Sequence, residues 1–213
     1  MNKITTDVIP VHLLQWLAES RIFLDDLKNG KPLRYFSAHL PVMATWNKDN
    51  LFPVNLTVKG IGLIPKDELI MDFIDLFEGI IAESRTMPWH KSLSRRIEAM
   101  NVLYKNIYNF NPSVLGGLEI FVGKAFENLK SNPHASLLYV GMMPTTEGIR
   151  YISFQVNGKV ELLKEDNLYY RFLLASRKLF EFDKFHLYQP SYPFGYLIKV
   201  VEVLDKTPKT KFK

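Results

Sequence analysis

The chain has 213 residues, 47% of them hydrophobic and 13% aromatic, with 27 Lys and Arg against 22 Asp and Glu and no Cys. That is enough chain to bury one substantial core; the composition excludes a disordered, collagen-like or disulfide-stapled protein, and thiol catalysis, iron–sulfur clusters and cysteine zinc sites with it. Of the formal net charge of +5, Lys206, Lys209, Lys211 and Lys213 supply four units, so the basicity is a tail over 206–213 rather than a nucleic-acid-binding face.

The N-terminus carries acidic residues and no uninterrupted apolar run of the kind a secretory signal needs, and a cytoplasmic protein with no membrane partner is expected. Over 7–28, Leu13, Leu17, Leu24 and Leu27 form one stripe, widened by Trp16 and Phe23, with Glu19, Asp25 and Lys28 outside. This predicts an amphipathic helix closed by Asn29-Gly30. Residues 41–46, Pro-Val-Met-Ala-Thr-Trp, read as a buried strand, and Asn47-Lys48-Asp49-Asn50 as a turn. In the next strand Val54, Leu56 and Val58 alternate with Asn55, Thr57 and Lys59, predicting a hairpin with its polar face outward.

Pro65-Lys66-Asp67-Glu68 opens a helix with the stripe Ile70, Phe73, Ile74, Phe77 and Ile81. A second helix over 91–108 turns Leu93, Ile97, Met100, Tyr104 and Ile107 inward and Arg95, Arg96 and Lys105 outward. Together they make a helical insert over 66–108, which could cover the sheet or form a dimer surface. Short strands follow at 118–122, 135–140 and 151–163, the last interrupted by Asn157-Gly158 as either a hairpin turn or a bulge. A helix over 165–182, with Tyr169, Phe172, Leu173, Ser176, Leu179 and Phe180 inward, a Pro- and Tyr-rich loop over 186–194 and a strand over 196–204 complete the chain. Strands joined by hairpins or short connections favour an antiparallel sheet. With helices outside it, the fold class is an α+β barrel in a single domain over 1–205, followed by the basic tail.

Little in the sequence carries catalytic chemistry outright. The five histidines are scattered without His-x-x-x-His spacing, so no metal site is expected. Leu115-Gly116-Gly117 lacks the Lys-Ser that a phosphate loop requires, and no Gly-x-Ser-x-Gly elbow occurs. Two stretches say more. In Phe121 to Pro133 a strand ends at Gly123 and a basic helical turn begins at once, so free N–H groups with Lys124 or Lys130 could meet a phosphate. The polar positions Asn55, Thr57 and Lys59, read beside Ser153, Gln155 and Asn157, could hydrogen-bond a flat heteroaromatic ring.

The order of these segments resembles a known family. Val42 to Asn55 is similar to the opening hairpin of the split-barrel flavoproteins related to pyridoxamine 5'-phosphate oxidase. Lys124, Asn128-Leu129 and Asn132-Pro133 with the following Ala135-Ser136-Leu137-Leu138 resemble that family's turn and strand, and Ile152 to Glu161 its next strand. The resemblance implies an antiparallel Greek-key split β-barrel of six strands with flanking and inserted helices. It further implies a homodimer, with FMN bound at the dimer interface. Carried over by position, Asn55, Thr57 and Lys59 belong to the second-strand set, Lys124 and Asn128 to the phosphate turn, and Gln155 to a strand bordering the flavin. The implied function is flavin-dependent oxidoreduction of an unassigned small-molecule substrate. Two alternatives stay open: the same barrel holding haem or a deazaflavin, with His186 or His134 as an axial ligand, and a non-enzymatic protein acting through its Lys tail.

Overall fold

A computed structural model describes residues 6–22, 38–146, 148–181 and 192–208. Seven strands form one antiparallel sheet: β1 (Val42–Trp46), β2 (Val54–Val58), β3 (Ile61–Pro65), β4 (Phe110–Glu119), β5 (His134–Thr145), β6 (Gly148–Leu163) and β7 (Phe194–Asp205), in the order β2-β1-β5-β6-β7-β4-β3. The helices are α1 (Val11–Ile22), α2 (Ile70–Ser84), α3 (Trp89–Tyr104), α4 (Lys124–Ser131) and α5 (Leu168–Lys178), with a 3-10 turn over Ile107–Asn109.

The strand order itself closes the sheet. Laid flat, seven strands would hold their outer edges apart by six spacings of about 4.8 Å, roughly 29 Å. Yet the two edge strands, β2 and β3, are separated in the chain only by Lys59 and Gly60, and the three Cα steps from Val58 to Ile61 reach at most about 11 Å. The sheet must therefore curl until its edges meet, which makes it a barrel split between β2 and β3. β5 returns to pair with β1, and β7 returns to lie between β6 and β4, the long-range returns of a Greek key. The fold is the α+β split barrel that the strand pattern predicts, with seven strands rather than six.

Met43, Leu137, Tyr139, Val156 and Ile198 fill the interior, each fully buried. α1 lies against inward-facing residues: Trp16 meets the ring of Tyr139 edge-on at 6.4 Å, and His12 meets Phe154 at 5.3 Å. A Cβ at Gly141 would stand 2.5 Å from Trp16, so this strand position must be glycine for the helix to seat. The helix starts at Val11 rather than at residue 7, and the remainder of the predicted 7–28 span beyond Ile22, with its expected Asn29-Gly30 closure, lies outside the described residues.

α2 packs on α3 and on α5, and α5 on β4 and β7, so the 66–108 insert covers one side of the barrel through α5. Its core is aromatic: Phe77 lies 6.2 Å from Phe73 and 6.0 Å from Phe172. Arg96, expected outward, is instead buried. Its Nε donates to Ser92 Oγ at 2.6 Å, and its Nη1 donates to the carbonyls of Leu179 at 2.6 Å and Lys178 at 3.2 Å. The guanidinium thus satisfies carbonyls at the end of α5 that have no partner within the helix. On α5, Tyr170 rather than Tyr169 is buried; the Tyr169 hydroxyl donates to Asp67 at 2.7 Å, and that bond pushes it up to about 12.

The strands differ from expectation at three places. β3 is an unforeseen strand in what reads as a connection before the helix. β4 spans 110–119 rather than 118–122, leaving Phe121 and Val122 exposed beyond its end. Gly116 and Gly117 therefore stand within a strand, where a Cβ on Gly117 would come 2.3 Å from the Gly60 carbonyl; close packing of the β3–β4 pair is their role. Asn157-Gly158 is a bulge in one continuous strand, with the β6–β7 register shifting between these two residues.

Candidate functional site

The outer surface of β2, β1, β5 and β6 is the part of the barrel with the most unusual chemistry. Register places Val58, Val42, Leu138 and Gln155 in one row across the four strands, and Leu56, Ala44, Ser136 and Asn157 in the next. Their sequence neighbours Met43, Leu137 and Val156 point into the core, so by strand alternation these rows face out. Leu56 is 66% exposed, Val140 51% and Met142 64%. An apolar strip of several adjacent strands left open in this way marks a binding surface.

This reverses the expected orientation of β2. Val54, Leu56 and Val58 are exposed, while Asn55, Thr57 and Lys59 are half-buried on the opposite face. Nor are β2 and β6 neighbours: β1 and β5 lie between them, and Asn55 and Thr57 share no face with Gln155.

A polar cluster sits on the outer face at the β6 end. Asn157 is its hub: its Oδ1 accepts from Ser136 Oγ at 2.6 Å and from Gln155 Nε2 at 2.9 Å, and its Nδ2 donates to Glu202 Oε2 at 2.6 Å. Gln155 is thereby held by one N–H, leaving its carbonyl oxygen and second N–H to a ligand. Ser136 and Glu202 were not among the residues picked from the sequence; only the pairing Asn157↔Glu202 across a bulged ladder brings the carboxylate in.

The remaining candidates gather around α4. This helix starts at Lys124 after Gly123 with no side-chain cap, and the acid in its first turn, Glu127, is paired with Lys130 at 3.1 Å, so its first N–H groups can meet an anion. Lys124 Nζ donates to Asn50 Oδ1 at 2.9 Å, which puts its ammonium at the tip of the β1–β2 hairpin, beside exposed Leu51 and Phe52. Asn128 is buried, and its Nδ2 donates to Thr45 Oγ1 at 3.3 Å. It holds α4 against β1 and so places Lys124. Lys59 is engaged elsewhere: its Nζ donates to Glu119 Oε1 at 2.6 Å, with the Glu119 side chain fully buried. The structure thus joins Lys124 and Asn128 through α4, keeps Lys59 in an internal ion pair, and sets Gln155 on the outer face with its own network.

Of the histidines considered as axial ligands, His134 shares a 2.8 Å hydrogen bond with Asn132 through Nδ1, and His186 lies outside the described residues. Among the described residues no three His, Asp or Glu side chains are grouped to hold a metal ion, and no helix is long and apolar enough to cross a membrane.

No family model matches the sequence, and no curated protein matches it. Several solved structures do resemble it. The chain is similar to a proposed pyridoxamine 5'-phosphate oxidase from Lactobacillus delbrueckii, with 16% identity over 96% of this chain and 99% of the other at a TM-score of 0.43. It is similar to an FMN-binding protein from Syntrophomonas wolfei, with 12% identity over 92% and 89% at 0.44. HupZ of Group A Streptococcus shares 13% identity over 89% and 96% at 0.43. What makes this chain a split barrel is its own strand pairing, with two sheet edges joined by two residues.

Proposed function

We propose that this protein binds FMN on the outer face of β1, β2, β5 and β6, that a second copy of the chain covers that face, and that the pair acts as a flavin-dependent oxidoreductase. The observation that carries the reading is the open apolar strip ending at the Asn157 cluster. A ring system needs a flat apolar floor with a few placed polar groups at its edge, and Val42, Ala44, Leu138 and the free amide edge of Gln155 are of that kind. Phosphate needs a cation and N–H donors, for which Lys124 and the uncapped start of α4 are suited. Asn128 positions that turn from within. Asn55 and Thr57, on the other face of β2, would shape the hairpin that carries the floor, and Lys59 would keep the neighbouring loop in place through Glu119.

The flavin, when bound, supplies hydride and single-electron transfer. The chain's own residues do the rest: the apolar strip and its copy exclude water, Gln155 orients the ring edge, and Lys124 holds the phosphate. No side chain of this set is required to move a proton.

The test is a titration of purified protein with FMN, followed by absorption and by flavin fluorescence, with mass measured by light scattering. A dimer that quenches one flavin per chain is expected. Replacing Leu56 with Asp places a charge in the strip and should abolish both dimer and flavin binding while leaving the monomer folded. A monomer that ignores FMN would overturn the reading.

A further inference from the structure

Away from the barrel's outer face, the helical cover carries a cavity of about 830 Å³ that opens to solvent. It lies where the last turn of α2, the α2–α3 connection, the start of α3 and the second half of α5 come together. One part of its lining is apolar: Ile81 and Ala82 from α2, Leu174 from α5, and Met87 with the half-exposed Trp89. Its size falls in the range of pockets that take small organic ligands.

The polar groups of this cavity are unevenly matched. Glu78 is held by two hydrogen bonds from Arg171, at 3.0 and 2.7 Å. Glu181 is paired with Lys178 and lies 3.7 Å from Arg177. Both carboxylates that line the cavity are thus already neutralised by cations. Arg85, exposed at the cavity, has no such partner. Arg96 also lines the cavity, but it is buried and engaged by a hydroxyl and two carbonyls. Ser84 also lines the cavity; it is only 4% exposed, and its hydroxyl has no hydrogen-bond partner. A buried hydroxyl of this sort calls for an explanation, and a ligand oxygen provides one. α3 begins here after Pro88, with no acidic residue in its first turn and no side-chain cap, so its dipole adds to the positive field.

We propose that this cavity binds an amphipathic monocarboxylate, its apolar body among Ile81, Ala82, Leu174 and Trp89 and its carboxylate on Ser84 and Arg85. With both carboxylates already paired, Arg85 selects an acid over an amine, and Ile81, Ala82, Leu174 and Trp89 favour a hydrocarbon or aromatic body over a sugar or nucleotide. This site is separate from the flavin face and does not depend on it.

The experiment is calorimetric titration of the full-length protein with decanoate, and with decylammonium at the same concentrations. One decanoate per chain is expected, with decylammonium at least about tenfold weaker, the ratio for one charge-assisted hydrogen bond. Arg85→Glu, at an exposed position, should weaken decanoate by about tenfold or more without changing the folded spectrum. Ala82→Trp should fill the cavity and abolish binding. Leu56→Asp, on the sheet face, should leave decanoate binding as it is. Absence of decanoate binding, equal binding of the amine, indifference to both cavity variants, or loss of binding in Leu56→Asp would each overturn the proposal. FMN plays no part in the titration, so its result is independent of the flavin reading.

Discussion

The two sides of this barrel are built from the same alternating strands and finished differently. On the β4–β7 side α5 lies over the strands, α2 lies over α5 and α3 packs on α2, so that Phe77, Phe172 and Ile74 are fully shielded. On the β1–β2–β5–β6 side the outward row is equally apolar, yet Leu56, Val58, Leu138 and Val140 meet solvent. The helical insert is absent there, although the chain has length enough to build it elsewhere. One side is therefore stabilised by its own helices, and the other leaves apolar side chains in solvent. Stability and association should separate accordingly.

The largest effect is expected under the helices. Phe77→Ala removes a fully buried ring between Phe73 and Phe172 and should cost about 3–5 kcal/mol in urea unfolding. Leu56→Ala should change the stability of the isolated monomer by less than about 0.5 kcal/mol. If the sheet face pairs, wild-type Tm rises with protein concentration and that rise is blunted in Leu56→Ala. Equal losses from the two substitutions would erase the distinction between the two sides.

Next in size is Lys59→Ala. It strands the fully buried Glu119 carboxylate and should cost about 3 kcal/mol, with much of the loss recovered when Glu119→Gln is added. Lys124→Ala should do the opposite. Its ammonium is exposed and bonded only to Asn50, so stability should stay within about 0.5 kcal/mol while FMN affinity falls by about 1–3 kcal/mol. Parallel denaturation and flavin titrations on the two variants sort a structural lysine from a ligand-binding one.

That distinction shows where sequence reading stops. Lys59 and Lys124 both follow strands and both look available; only the contact between Lys59 and a carboxylate 60 residues later in the chain separates them. The β1–β2 hairpin was legible because its turn residues and its period of two agree. Which of its two faces points inward was not, because alternation fixes opposition and not direction, and an apolar row left in solvent reads like a core row. β3 escaped notice for another reason: Ile61, Leu63, Ile64 and Pro65 are all buried, so the segment has no polar phase to give it away. The helical stripes were readable almost residue by residue, since Ile70, Phe73, Ile74 and Phe77 repeat at the helical period. Arg96 broke that pattern because the ends of α5 are a tertiary matter. At the site, Gln155 and Lys124 stood out as residue types, but the Asn157–Glu202 link needs the shifted register of β6 and β7.

The smallest effect concerns how the helical cover is clasped from outside. Arg171 on α5 grips Glu78 on α2 through two hydrogen bonds, and this hydrogen bonding holds the Glu78 carboxyl below its ordinary value. A carboxyl with a depressed native pKa adds stability above the pH at which the unfolded chain titrates, about 4.3, and that contribution disappears as pH falls through the native value. Both partners are nearly half exposed, so Arg171→Ala should lower Tm at pH 7 by about a degree or two. As pH falls through the lowered native value the wild type and the variant should converge, because the protonated Glu78 no longer has a charge for Arg171 to meet. Tm measured for both proteins from pH 3 to 7 gives the difference directly. A gap that persisted at low pH would mean that Arg171 supports the α2–α5 contact through the packing of its hydrocarbon stem, and that the cover is held by apolar area alone.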